Sequence, residues 1–190
     1  HQHGLAVHLD GARVFNAALA LGVSAAELAS PVDSVCYCLS KSLSAPVGSV
    51  LCGSDEFITR ARKTRKMLGG GMRQAGVIAA AGLVALDTMR ERLVTDHENA
   101  RRLADGLTRI PDIMCSPERT VTNIVMFELP PHVPSGLFVD RLGERGVKLG
   151  AMEGSRVRAV THRMIEAEDI DHALDAIAEV MLGFGSRNQL

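Results

Sequence analysis

The sequence contains no apolar run of the roughly 18–20 residues that a membrane-spanning helix needs. It also carries almost no net charge, since 21 basic and 22 acidic side chains give −1 at pH 7. This balance argues against non-specific binding to nucleic acid or to an anionic membrane. The one dense basic stretch, residues 60–66 (RARKTRK), is too local to change that expectation. A length of 190 residues with 46% hydrophobic and 23% charged side chains is ordinary for a soluble globular protein.

Cysteine is scarce and poorly spaced for binding a metal. Cys36 and Cys38 would share one face of a strand, where such near neighbours rarely pair, and Cys52 and Cys115 stand alone in the sequence. Neither these four residues nor the seven histidines offer the spacing of a metal-ligand set. We therefore expect reduced structural thiols in a cytoplasmic protein, and no metal.

The apolar runs and turn signals predict two regions of different character. Residues 1–93 alternate strands and helices, with strands over 5–9, 33–39 and 47–52 and helices over 12–21, 24–29, 55–66 and 72–89. This order predicts a parallel sheet covered by helices. Residues 94–190 continue with a helix over 95–110, strands over 122–129, 147–149 and 156–160, and helices over 135–145 and 166–182. The second region therefore reads as a small α+β domain.

Two residues at predicted strand ends suggest a chemistry. Asp10 ends the first strand and Lys41 follows the second, with a helical crossover between them. Ligands of open α/β sheets bind at the carboxyl ends of parallel strands, so both side chains would face one site. Pyridoxal phosphate (PLP) requires such a pair, because a lysine forms a Schiff base with its aldehyde and a carboxylate holds its pyridine nitrogen protonated.

Taken alone, Asp10 before Gly11 is better explained as a turn-forming residue, and Lys41 after Ser40 as part of a surface loop. The scarcity of lysine changes that balance, since the chain has four lysines against seventeen arginines. A lysine kept between a buried strand and a turn rich in Pro and Gly is then less easily explained as surface charge.

Four blocks of sequence carry a resemblance to a known family. They read HLDGAR at 8–13, LSK at 39–41 followed by APVGS at 45–49, RKM at 65–67 leading into GGGMRQ at 69–74, and VRAVTH at 157–162. In this order they resemble the threonine aldolases of the low-specificity L-threonine type, which are aminotransferase-like PLP enzymes of fold type I. The resemblance implies an α/β fold in which residues 1–93 form the second half of the large PLP-binding domain, including the connecting helix. Residues 94–190 would form the small C-terminal domain.

The resemblance also implies roles for individual residues. Lys41 matches the lysine that forms the internal aldimine, and Asp10 the partner of the pyridine nitrogen. Arg13 and Arg158 match arginines that bind the substrate carboxylate, and the planar guanidinium suits that task.

Two further basic residues match positions that the family brings to its active site near a subunit interface. Lys66 would contact the substrate and Arg73 the cofactor, while Arg13 contributes to both. The three glycines between Lys66 and Arg73 either let backbone N–H groups approach an anion or serve as a flexible break between helices.

The chain departs from the family at the cofactor lysine. The family usually has glycine at the two positions that Ser42 and Ser44 occupy here. If either position requires a positive φ, its serine would be strained. The sequence also begins without Met and inside a strand-like run, so we expect an N-terminal segment of the same protein to complete the site.

The implied reaction is retro-aldol cleavage of a β-hydroxy-α-amino acid, such as L-threonine or L-allo-threonine, to glycine and an aldehyde. The family further implies a homo-oligomer, either a dimer or a tetramer. Two alternatives stay open: another fold-type-I lyase or aminotransferase, and a non-catalytic fragment or subunit that keeps the fold without a complete site.

Overall fold

A computed structural model describes residues 1–185 and contains two compact units, His1–Leu93 and Val94–Leu190. The first unit begins with strand β1 (His8–Asp10), helices α1 (Val14–Leu21) and α2 (Ala25–Ala29) and strand β2 (Ser34–Cys38). It continues with strand β3 (Ser49–Gly53), helix α3 (Asp55–Met67) and the first part of helix α4 (Gly76–Leu107).

Local sequence signals fix several helix ends of the first unit. Helix α1 ends at Gly22, whose φ of 67° is readily adopted only by glycine. Helix α2 begins with a capping box, in which the Ser24 hydroxyl accepts from the Glu27 N–H and the Glu27 carboxylate accepts from the Ser24 N–H. The Ser54 hydroxyl caps α3 in the same way by accepting from the Phe57 N–H at 3.3 Å. These ends agree with the predicted helices.

The sheet of the first unit has the order β1-β2-β3. Strands β1 and β2 are parallel, as predicted, but β2 and β3 are antiparallel. The prediction of a uniformly parallel sheet was therefore wrong for β3. Only ten residues, 39–48, separate β2 from β3, whereas a parallel connection needs a crossover of about a dozen or more.

Helix α4 is one continuous helix of 32 residues. The sequence predicted two helices, over 72–89 and 95–110, and that prediction was wrong. Residues 90–94 (RERLV) contain neither glycine nor proline and mostly favour helix, so nothing interrupts the backbone hydrogen bonds there. At its start the helix is shorter than predicted, since it begins only at Gly76.

The second unit contains a four-stranded antiparallel sheet with the order β4-β5-β7-β6. After α4 the elements of this unit are, in chain order, β4 (Met114–Cys115), a 3-10 turn (Pro117–Arg119), β5 (Ile124–Glu128), α5 (Ser135–Gly143), β6 (Gly150–Ala151), β7 (Arg156–Val160) and α6 (Ala167–Gly185). The strand predicted over 147–149 is displaced to β6, and Val147 is instead a buried loop residue.

One face of this sheet forms the core of the second unit. Alternate residues of β5 and β7 are buried, namely Val125, Phe127, Val157 and Ala159. They belong to a cluster that includes Leu103 and Leu107 of α4, Phe138 of α5 and Ile177 of α6. The opposite face of β5 and β7 carries the exposed residues, as the period-2 alternation of strands requires. No helix within residues 1–185 has the length and apolar character of a membrane-spanning segment.

Candidate functional site

Asp10 and Lys41 lie at the ends of two neighbouring parallel strands. Asp10 is the last residue of β1 and is exposed, and its register partner on β2 is Cys36. The N–H of Gly11 donates to the Cys36 carbonyl at 2.8 Å, which holds the end of β1 against β2. Lys41 follows β2 by three residues and is also exposed. Both side chains therefore lie at the sheet edge where α/β folds bind ligands.

The turn that carries Lys41, residues 39–45, is fixed by its backbone and by buried apolar side chains. The Leu39 N–H donates to Gly48 at 2.9 Å, the Ser44 N–H to Lys41 at 2.9 Å and the Ala45 N–H to Leu39 at 3.0 Å. Leu39, Leu43 and Ala45 are buried in one cluster with Ala85 of α4. Lys41 is therefore an exposed residue on a turn that buried side chains hold in place.

Aromatic packing supports the same turn. Tyr37 of β2 and Phe15 of α1 pack edge to face with ring centroids 5.3 Å apart, and both contact the cluster beneath the turn. Burial raises the pKa of the Tyr37 phenol, and the nearby Cys52 thiol raises it further. The phenol therefore stays neutral at physiological pH and acts as a packing group.

Arg13 lies at the start of α1 and contacts the Lys41 turn. Its Nη1 donates to the Ser42 Oγ at 2.7 Å, although the two residues are 29 positions apart. Ser42 is only 4% exposed, so its hydroxyl is largely shielded from water, while Arg13 is half-buried. The first unit thus connects Arg13 to the residue that follows Lys41.

The two serines beside Lys41 adopt different backbone conformations. Ser44 has a φ of 61°, a left-handed conformation that glycine adopts at much lower cost. Ser42 is not among the residues with positive φ in the described part of the chain. Of the two positions, only that of Ser44 carries the backbone strain that the sequence suggested.

Lys66 and the glycines after it form a tight turn at the end of α3. Gly69 has a φ of 80°, and the Gly70 N–H donates to the Arg65 carbonyl at 2.9 Å. The Lys66 side chain packs over Gly71 so closely that a Cβ there would lie 2.7 Å from its Cδ and 3.3 Å from its Nζ. Gly71 thus leaves room for the lysine, and Arg73 follows in an exposed segment before α4.

Arg158 belongs to the second unit, on the exposed face of β7. Its register partners are Met126 on β5 and Gly150 on β6. The end of β7 is tied down because the Thr161 Oγ1 donates to the Asp96 carbonyl at 2.5 Å and the Asn123 Nδ2 donates to the Thr161 carbonyl at 2.6 Å. Thr161 and Asn123 are almost fully buried.

A cavity in the second unit is lined by none of the predicted site residues. It has a volume of about 680 Å³, and its lining residues include Arg119, Glu128 and Arg156 of the second unit. This space is an open depression over β4 and β5.

Sequence reasoning missed the contacts made by Ser42, Asn123 and Thr161. Ser42 stood out only as a departure from the usual glycine, and Thr161 only as part of the VRAVTH block. Nothing in the sequence marked Asn123. A buried polar residue becomes visible as a hydrogen-bonding group only when its partner is known.

A family model described as "Beta-eliminating lyase" matches residues 1–130. The chain belongs to this family. A probable low-specificity L-threonine aldolase 2 from Arabidopsis thaliana is 43% identical over 181 residues, which cover 94% of this chain and 51% of the relative. The low specificity L-threonine aldolase of Escherichia coli O157:H7 is 41% identical, with coverages of 89% and 49%. The chain thus spans about half the length of the curated relatives it matches. These relatives confirm the resemblance to threonine aldolases.

Solved structures resemble most of the chain in fold. The crystal structure of a putative L-allo-threonine aldolase from Listeria monocytogenes matches with a TM-score of 0.78 at 20% identity, over 95% of this chain and 53% of that one. A structure described as SPT with PLP internal aldimine matches with a TM-score of 0.73 at 19% identity, over 97% of this chain and 49% of that one. The likeness confirms the predicted α/β, aminotransferase-like fold.

Proposed function

We propose that the protein containing this chain is a PLP-dependent aldehyde-lyase that cleaves β-hydroxy-α-amino acids, with threonine giving glycine and acetaldehyde. The observation that carries the proposal is the presence of Asp10 and Lys41 at the ends of adjacent parallel strands, with Arg13 bonded to the Lys41 turn. The relatives named threonine aldolases support the choice of reaction.

The residues of the first unit fit this cofactor. Lys41 offers an exposed amine on a turn fixed by buried side chains, as a covalent anchor requires. Asp10 offers a carboxylate at the same sheet edge, where it would hold a proton on the pyridine nitrogen. Arg73 and Arg13 offer positive charge for the anionic groups of the cofactor. When bound, PLP supplies an electron sink for the bond that breaks at Cα.

The remaining residues would bind and orient the substrate. Arg13 and Arg158 would hold its carboxylate and so fix which bond at Cα is aligned for cleavage. Lys66, held against Gly71, would add a cation on the substrate side. We further propose that an N-terminal segment of the same protein completes the site, and that the protein is a cytoplasmic homo-oligomer, either a dimer or a tetramer.

The decisive experiment asks where the cofactor attaches. The full-length protein is mixed with PLP, reduced with borohydride, digested and analysed by mass spectrometry. The cofactor mass should appear on the peptide containing Lys41, and Lys41→Ala should abolish both this labelling and threonine cleavage. Lys148→Ala, at an exposed lysine of the second unit, is the matched control and should leave both unchanged. Labelling and cleavage that survive in the Lys41→Ala protein would refute the assignment.

The Asp10→Asn variant separates attachment of the cofactor to Lys41 from cleavage of the substrate. It keeps the shape of the side chain but removes the charge, so Lys41 should still be labelled while the rate of cleavage falls strongly. An unchanged rate would contradict the role of Asp10.

The name of the matching family gives one second candidate, β-elimination. Product analysis distinguishes the two reactions. Glycine with an aldehyde supports the aldolase, whereas a keto acid with ammonia supports elimination.

A further inference from the structure

We propose that Gly82 of helix α4 is a positioning residue for Lys41, because the absence of a side chain at Gly82 lets Leu39 lie close to the helix and so sets the position of the Lys41 turn. The inference rests on the proposed function and adds to it a residue that governs affinity for the cofactor. A lone glycine inside a helical pattern indicates only a locally weaker helix, so the sequence assigns no such role to Gly82.

The backbone at residue 82 does not require glycine. Gly82 is buried within α4 and is not among the glycines with a positive φ in the described part of the chain. Alanine is the more favourable residue in a helix interior, because glycine loses more conformational freedom on folding. The reason for a glycine at this position therefore lies in a contact outside the helix.

That contact is with Leu39, two residues before Lys41. A Cβ added to Gly82 would lie 2.9 Å from the Leu39 Cδ1, which among residues 1–185 is the one atom outside α4 within 4 Å of it. Carbon atoms pack at about 3.5–4.0 Å, so the methyl group or the helix would have to move by roughly 1 Å. The same Cδ1 lies 3.8 Å from the Cβ position of Gly48, so this methyl group packs close to two glycines.

Leu39 passes its position to Lys41 through the backbone of the turn. Its N–H donates to the Gly48 carbonyl at 2.9 Å, and its carbonyl accepts from the Ala45 N–H at 3.0 Å. Leu39 is 8% exposed and packs in one cluster with Leu43 and Ala45, so its side chain has little room to turn aside. We therefore expect a displaced Leu39 to move the turn that carries Lys41.

Covalent attachment of PLP is sensitive to such a displacement, because the Lys41 amine must reach the aldehyde at bonding distance. Misplacement of a reacting group by about 1 Å can cost about 100-fold in rate. The flexible four-carbon stem of lysine absorbs part of the shift, so we expect a smaller effect, about tenfold, on the affinity for PLP.

The test titrates the full-length apoprotein with PLP and measures both the dissociation constant and the number of sites. Gly82→Ala should raise the dissociation constant about tenfold and leave the number of sites unchanged. Partial unfolding, the result of a merely structural role, would instead lower the number of sites and leave the affinity of the remaining ones as it was. Borohydride reduction and mass spectrometry should still locate PLP on Lys41.

A second substitution makes the steric explanation specific. Leu39→Val removes the Cδ1 atom that the new Cβ would meet, so the Gly82→Ala/Leu39→Val protein should recover the original dissociation constant to within about threefold. If Gly82→Ala is insoluble, Leu39→Ala removes the same contact without adding an atom at residue 82, and it should raise the dissociation constant about tenfold because the turn loses its packing against α4.

Gly106→Ala, in the second unit, is the matched control. A Cβ at Gly106 would overlap the Leu174 side chain, so this variant also overpacks a helical glycine but not beneath the Lys41 turn. It should lower stability and leave the dissociation constant for PLP unchanged. An equal loss of affinity in Gly106→Ala and Gly82→Ala would show that overpacking in general weakens PLP binding, and would contradict the role of Gly82.

The possible outcomes separate this inference from the proposed function. If the unmodified protein is not labelled on Lys41, the proposed function fails and the role of Gly82 falls with it. If Lys41 is labelled, but Gly82→Ala keeps the original dissociation constant or Leu39→Val does not restore it, the role of Gly82 alone is refuted.

Discussion

Gly106 of α4 lies against Leu174 of α6, and replacing it with alanine should destabilise the second unit. A Cβ at this position would lie 2.6 Å from Cδ2 and 3.0 Å from Cγ of Leu174. Carbon atoms attract each other at about 3.5–4.0 Å, so both contacts would be repulsive. The Cγ atom is bonded directly to the Leu174 Cβ, so it moves away from Gly106 only if χ1 changes, and that change would disturb the packing of Leu174 against the core.

The size of the effect follows from two opposing terms. Overpacking a core costs about 1–3 kcal/mol, and the contact with Cγ favours the upper part of that range. Alanine in a helix interior gains about 1 kcal/mol over glycine, and this is an upper limit for Gly106 in the last turn of α4. We therefore expect Gly106→Ala to lower the free energy of unfolding by about 1–2 kcal/mol.

Gly183 in α6 provides a matched control for the helical gain. The nearest atom to a Cβ there is the Arg141 Nη1 at 3.9 Å, an ordinary contact distance. Gly183→Ala should raise the free energy of unfolding by about 0.5–1 kcal/mol, because the helical gain is not offset. Urea unfolding followed by far-UV circular dichroism measures both variants. If Gly106→Ala were as stable as the original protein or more so while Gly183→Ala behaved as expected, close packing at Gly106 would not explain the glycine.

Two further predictions concern a strained residue and a titrating one. Ser44→Gly should raise the free energy of unfolding by about 0.5–1 kcal/mol, because relief of a left-handed serine, about 1–2 kcal/mol, exceeds the added flexibility of glycine in the unfolded chain. A less stable Ser44→Gly protein in urea unfolding would argue against strain at this turn. Burial lowers the pKa of His97, so the unfolded chain binds a proton at a higher pH than the folded one. Stability should therefore fall as pH decreases from the ordinary histidine value of about 6.5 towards the folded pKa, and His97→Gln should remove this part of the pH dependence. Urea unfolding at several pH values tests this, and an unchanged slope in His97→Gln would show that other groups cause it.

The sequence predicted best those features that depend on neighbouring residues. Gly22 ends α1, Ser24 and Ser54 cap their helices, and β7 covers the predicted residues. Each of these signals involves atoms within a few positions of one another. The antiparallel β3 and the unbroken α4 were missed, because apolar runs reveal neither strand direction nor whether a helix continues past a turn of polar residues.

The same distinction applies to the candidate site. Strand ends were enough to bring Asp10 and Lys41 to one edge of the sheet, since parallel pairing aligns them. The bond between Arg13 and Ser42 could not be predicted, because it joins residues 29 positions apart through the packing of α1 against the turn. The roles of these residues in catalysis stay predictions.

In strand β7 the residues that face the core alternate with those that face outwards, including Arg158, so a shift of the strand changes both sets at once. Val157 and Ala159 face the core, and therefore Arg156 and Arg158 face outwards. Deleting one residue near the start of this strand would reverse all of these orientations at once. A guanidinium would then enter the core and a valine would face the solvent, so such a variant would lose stability together with the carboxylate binding that is proposed for Arg158. Any functional diversification of this strand must therefore proceed by substitution at the outward positions and not by changes in its length.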